Sequence, residues 1–333
     1  MRNVKLFAIA RAGGVMLLFI ALVIVGNFGF SHFIGGGAGF LWAGQNLSRY
    51  VRIEDEAVPL SSGSTSKIYT PVASGKSTKS DGGATIDMSN AKEGYIMAKF
   101  SGGGKIKLQI TKSGSKTTYT YDLKTNGEYE VFPLTQGNGK YSISIFKNVS
   151  GNQYAQVLST SVDVELRAST LPFLYPSQFV NFNEKSKAIV KSNELAKGAA
   201  DQLAVVKAIY NYVVANTVYD TQKASSVKPG YLPVIDNTLS SQKGICFDYA
   251  SLTAAMLRAQ GIPTRLEVGY AGKAYHAWIS VYVKDVGWIN DIIYFDGKNW
   301  KLMDPTFASS GKQSKEIMQY IGNGSNYSTV YVY

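Results

Sequence analysis

Between Thr85 and Arg167 the chain alternates apolar and polar residues with a period of two. Ile106, Leu108 and Ile110 are separated by Lys107 and Gln109, and Tyr141, Ile143 and Ile145 by Ser142 and Ser144. Successive side chains of a strand point to opposite faces, so this pattern predicts half-buried strands. Tyr95–Phe100, Thr117–Leu123, Tyr129–Leu134 and Gln153–Leu166 read the same way, and Gly102-Gly103-Gly104, Asn126-Gly127, Gly137-Asn138-Gly139 and Gly151-Asn152 punctuate the series. About seven short strands with frequent turn residues predict a small antiparallel β-sandwich over residues 85–170. Its aromatic residues Tyr119, Tyr121, Tyr129 and Phe132 sit at strand spacing, which suits core and edge packing, with a ligand-binding face as the alternative.

Residues 171–184 interrupt the period with Pro172 and Pro176 and are read as a linker. Helical spacing follows. Ala188, Ile189, Leu195 and Ala196 fit one helix, and Leu203, Val206, Ile209, Tyr210 and Val213 form one stripe of a second. A loop with Lys228-Pro229-Gly230 and Leu232-Pro233 leads into residues 243–260, KGICFDYASLTAAMLRAQ, where Cys246, Ala250, Thr253-Ala254 and Leu257 recur at helical intervals. That helix ends at Gly261-Ile262-Pro263, and Thr264–Tyr270, Tyr275–Val283 and Trp300–Asp304 then read as strands. Helices followed by strands that can pair antiparallel give an α+β domain over residues 185–333. Lys284–Lys298 reads as an inserted hairpin turning at Asp296-Gly297. Alternation in Tyr327–Tyr333 predicts an edge strand of the same sheet.

The N-terminal 1–44 segment has another character. Arg2, Lys5 and Arg11 precede Gly13–Phe30, which carries no charge over 18 residues. At about 1.5 Å per residue that run reaches about 27 Å, close to the ~30 Å hydrocarbon core of a bilayer. It is expected to form a membrane anchor, or else a cleaved signal segment with Ala43-Gly44 near the cut. The positive flank predicts a cytoplasmic N-terminus and an extracellular body. Residues 45–84, with Ser61-Ser62-Gly63-Ser64-Thr65-Ser66 and a polar 74–83 stretch, read as a spacer.

Chemistry concentrates in three short stretches. Cys246 is the only cysteine of the chain and opens its helix, where unpaired backbone amides and the helix dipole favour a thiolate. His276, in Tyr275-His276-Ala277-Trp278, is the only histidine beyond His32 of the N-terminal segment. Imidazole is the base a thiol nucleophile needs. Asp304, in Met303-Asp304-Pro305-Thr306, is placed to accept the Nδ1 proton of His276, with Asp291 as its rival. Tyr219 and Gln242 are the side-chain candidates for an oxyanion hole beside the Cys246 backbone amide.

Composition narrows the setting. With 45% apolar and 17% charged residues the chain fills real cores, and one cysteine excludes an intramolecular disulfide. The net charge of +11 suits anionic surroundings such as a cell-wall polymer. No nucleic-acid motif accompanies it, and neither a calcium nor a zinc site is expected, so no cofactor is assigned.

Gly244-x-Cys246, Gly261-Ile262-Pro263-x-Arg265, His276-Ala277-Trp278 and Asp304-Pro305-Thr306, in this order and joined upstream by Val218-Tyr219-Asp220, resemble the transglutaminase-like superfamily. The resemblance spans roughly residues 185–308. It implies a papain-like α+β core, a Cys246-His276-Asp304 triad, and acyl transfer through a thioester to water or an amine. The expected function is an extracytoplasmic enzyme acting on peptide or glutamine amides. Hydrolysis is preferred to cross-linking because no residue pattern marks an amine pocket, and the alternative is an inactive scaffolding module of the envelope.

Overall fold

The structure is a computed structural model that describes residues 6–8, 68–284, 286–289, 306, 309 and 326–333 of the 333-residue chain. The expected apolar span at 13–30, the 45–67 part of the spacer, the turn at Asp296-Gly297, and both Asp291 and Asp304 lie outside the described residues. Among the described residues no helix is long and apolar enough to cross a membrane.

The first half is built of strands β1 (Leu6–Ala8), β2 (Thr78–Asp81), β3 (Ala84–Asp87), β4 (Tyr95–Phe100), β5 (Ile106–Lys112), β6 (Thr118–Leu123), β7 (Glu130–Pro133), β8 (Gly139–Ser150) and β9 (Gln153–Val164). They form two antiparallel sheets, ordered β2-β3-β4-β7 and β1-β9-β8-β5-β6. Ile86, Ile96 and Phe132 of one sheet and Leu108, Ile143 and Ile145 of the other are fully buried in one apolar core. Each such side chain contributes about 1.5–3 kcal/mol by leaving water. The inward rows are those the period of two marks. Strand β2 lies in a stretch that reads as spacer: all four of its residues are exposed, so no apolar alternation betrays it. Its hairpin turns on Gly82 (φ +55°) and Gly83 (φ +85°), the doubly positive geometry that suits the strand twist.

Residues 171–184 do not run over the surface. Leu171, Phe173, Leu174, Val180 and Phe182 are buried, so the two prolines break the period within packed chain. The second half then comprises α1 (Lys187–Ala196), α2 (Gln202–Asn216), β10 (Val218–Tyr219), α3 (Thr221–Ser226), α4 (Ile235–Ser241), β11 (Lys243–Gly244), α5 (Cys246–Ala259), β12 (Thr264–Ala271), β13 (Ala274–Val283), β14 (Gly287–Ile289) and β15 (Tyr327–Val332). Helices α3 and α4 occupy what the sequence reads as a loop. Both are too short to show a period, and α3 starts because Asp220 Oδ1 accepts from the Lys223 amide at 2.8 Å.

Helix α5 is buried along its whole length except at Phe247. A helix buried on every side needs cover all round, and α1, α2 and α4 pack against it together with β12 and β13. Arg258, fully buried near its end, donates to the carbonyl oxygens of Thr264 (2.9 Å), Tyr175 (2.8 Å) and Tyr333 (2.8 Å). Three segments are thereby tied to one guanidinium. The sheet is ordered β14-β13-β12-β15, so the C-terminal strand lies at its edge as the alternation predicts. Glu267, buried on β12, accepts from the hydroxyls of Ser280 and Thr329 and so clasps three neighbouring strands.

Candidate active site

Cys246 is the first residue of α5, and Ile245 before it is extended (φ −94°, ψ 175°). Strand β11 holds this entry in place by pairing in parallel with β10. The Val218 amide donates to Gln242 O at 2.8 Å and the Asp220 amide to Gly244 O at 2.9 Å. Asp248, in the first turn of the helix and fully buried, accepts from the Ile245 amide (2.8 Å), Lys223 Nζ (2.6 Å) and the Tyr231 hydroxyl (2.5 Å). A Cβ on Gly244 would stand 2.7 Å from Asp248 Cβ, so this crossing requires glycine. The first turn of α5 is therefore fixed from both sides.

His276 lies on β13, opposite Gly269 of β12, and is buried. Its ring shares a face with Trp278, two residues on, with centroids 6.3 Å apart, and Trp278 in turn packs edge-on against Tyr327 of β15. Cys246 and His276 line one cavity of about 270 Å³. Burial, and after it the neighbouring Tyr331, Tyr270 and Cys246, pushes the Tyr275 hydroxyl up to about 12. Tyr275, which also lines the cavity, is thus a neutral phenol at physiological pH.

The remaining sequence candidates are placed differently. Asp304 and Asp291 lie outside the described residues, but Thr306 and Ser309 do not. Thr306 is buried, and the hydroxyls of Ser309 and Tyr249 both donate to Thr217 O, at 2.6 and 2.7 Å. Tyr249 belongs to the first turns of α5 and also meets the Ser309 hydroxyl at 3.1 Å, so Ser309 is held beside the helix that starts at Cys246. Tyr219 is half-buried on β10. Burial first, and Cys246 second, hold its hydroxyl above the usual phenol range, and Tyr219 is not among the residues that line the cavity. Gln242 is not brought to the cavity. It is exposed and caps α4 in a left-handed conformation (φ 54°), where its main chain rather than its side chain is used.

Four regions of the chain supply cavity residues that the sequence does not mark as such. Lys107, Thr120 and Asp122 come from the β-sheet unit, Gln178 and Phe179 from the 171–184 segment, Tyr231 from the loop before α4, and Tyr331 from β15. Only Tyr121 carried a signal, as one of the aromatics that allow a ligand-binding face. Gln178 Nε2 bonds Asp122 O (2.6 Å) and Glu130 Oε2 (3.1 Å), joining the segment to the sheets. Among the described residues no three His, Cys, Asp or Glu side chains gather to hold a metal ion.

Residues 191–290 match the Transglutaminase-like superfamily, a span that takes in Cys246 and His276 and stops before Asp304. The UPF0252 protein MJ1282 of Methanocaldococcus jannaschii is 27% identical over 248 residues, covering 68% of this chain and 69% of that protein. YebA, an uncharacterized protein of Bacillus subtilis, is 21% identical over 189 residues, which are 50% of this chain and 26% of YebA. Among solved structures, the periplasmic domain of TgpA from Pseudomonas aeruginosa is 16% identical, covers 73% of this chain and 76% of that domain, and superposes with a TM-score of 0.32.

Proposed function

With residues 191–290 forming a transglutaminase-like domain, we propose that the chain is a thiol-dependent acyl-transfer enzyme acting on peptide or glutamine amides. The observation that carries this reading is that Cys246, at the first turn of α5, and His276, on β13, line the same cavity. The thiolate of Cys246 attacks the amide carbonyl carbon, and the carbonyl electrons move onto oxygen. The Cys246 backbone amide and the Tyr219 hydroxyl are the donors assigned to that oxyanion. His276, as imidazolium, gives its proton to the departing amine, and the collapse leaves a thioester on Cys246. Water then attacks the thioester while His276 takes its proton, and the carboxylic acid and the thiolate are released. An amine in place of water gives transamidation. Asp304 is assigned to hold the Nδ1 proton of His276, on the strength of its sequence context. The 13–30 apolar run supports placing this body outside a membrane, where peptide substrates and an anionic wall polymer suit its charge.

Acylation by p-nitrophenyl acetate tests the reading. Intact-mass and peptide analysis are expected to find one acetyl group, on Cys246, discharged by hydroxylamine and absent from Cys246→Ala. Acetylation spread over lysines, with Cys246 free, contradicts it.

A further inference from the structure

We propose that the β-sheet unit selects the substrate: β5 and β6 form a wall of the Cys246-His276 cavity that accepts an uncharged aromatic group next to the reactive carbonyl of the acyl donor. This rests on the thiol-enzyme reading of the same site. Lys107, Thr120, Tyr121 and Asp122 all line the cavity that holds the thiol and the imidazole. Lys107 and Asp122 face each other across β5 and β6 and pair at 2.5 Å, so the two charges of this wall cancel. Among the described residues the other charge lining the cavity is the exposed Lys228 of the loop before α4, and beside Thr120 the rest of this wall is aromatic. The Tyr121 ring stacks on Phe179 at 5.6 Å and meets Tyr333 edge-on at 6.1 Å, while Phe179 reaches Phe247, the neighbour of Cys246, at 5.5 Å.

Two further features point to an occupant. Tyr121 is fully buried, yet its hydroxyl has no hydrogen-bond partner among the described residues. Buried polar groups are almost always paired, and a ligand atom is one way to complete this one. The loop before α4 also closes on the wall, since a Cβ on Gly230 (φ +87°) would stand 3.3 Å from Asp122 Oδ2. At about 270 Å³ the space is below the ~300–1,000 Å³ of pockets for drug-sized molecules, which suits one side chain and its amide.

Because Cys246 is the only cysteine, its alkylation by small probes reads the wall directly. Iodoacetamide, N-benzyl-iodoacetamide and iodoacetate are compared on the full chain, each rate referred to that of glutathione. The benzyl probe is expected to gain about ten-fold or more over iodoacetamide, and Tyr121→Leu to remove most of that gain. Asp122 is about half exposed at 53%, so Asp122→Asn spares the fold while it unmasks Lys107. Iodoacetate is then expected to gain about two-fold relative to iodoacetamide, the size of the effect of one solvent-screened unit charge. Fast labelling by iodoacetamide without a benzyl preference, a preference that survives in folded Tyr121→Leu, or an unchanged iodoacetate ratio in Asp122→Asn overturns the proposal. Slow labelling by iodoacetamide with the benzyl preference intact strikes the thiol-enzyme reading and supports the wall.

Discussion

Asp248 lies two positions beyond the thiol and draws together a backbone amide, a lysine and a tyrosine that come from three different segments. Its carboxylate is fully buried, so removing it leaves Lys223 without its counter-charge and the α5 entry without its clasp. Asp248→Ala is expected to destabilise the fold by about 3–5 kcal/mol in urea unfolding. It is also expected to slow alkylation of Cys246 in whatever fraction stays folded, and Asp248→Asn to fall between. A variant as stable and as reactive as wild type would show that this cluster does not position the nucleophile. Cys246 and His276 stand out in the sequence because they are rare residue types in suitable contexts. Asp248 does not, since Lys223 and Tyr231 lie 25 and 17 residues away and meet it only when the loop folds back. For the same reason the nearness of Gln242 to Cys246 in sequence says nothing of its side chain, which is exposed at a helix end and is not among the residues lining the cavity.

Elements buried on a regular face were legible, and those that are not were hidden. Helix α5 shows itself by apolar residues recurring at helical intervals, β5 and β8 by the alternation that burial of one face requires, and β12 and β13 as strand-like runs that are buried on both faces. Strand β2 is exposed on both faces and α3 and α4 are only six and seven residues long, so neither period applies. The edge strand β15 was legible, but not how it docks. Gly269 on β12 faces Ser328 and Thr329 so closely that a Cβ there would overlap the Ser328 carbonyl oxygen, at the point where the β12–β15 register shifts. Backbone cannot yield as a side-chain tip can. Gly269→Ala is therefore expected to push β15 off the sheet, costing about 1–3 kcal/mol in thermal or urea unfolding. Chymotrypsin is expected to cleave faster at Tyr327–Tyr333 in this variant, and unchanged cleavage would mean that β15 tolerates the shift.

At the scale of the molecule, both halves contribute to one apolar core, and the cavity is lined from each of them. Tyr119 of β6 packs against Tyr331 and Tyr333 at 5.5 Å each, and Thr135 donates to Val332 O at 2.7 Å, so the C-terminal strand is shared between the sheets and the site. This seam was not legible from composition or period, which describe each half alone. Catalysis here requires Cys246 and His276 to act as a pair, and the chain's single thiol makes that measurable without knowing the substrate. The decisive measurement is the rate of iodoacetamide labelling of Cys246 against pH, in wild type and in His276→Ala. Labelling that persists well below the roughly 8.5 of a free thiol and is lost in His276→Ala is the predicted result. Labelling that rises only near that value and ignores His276→Ala would contradict the account.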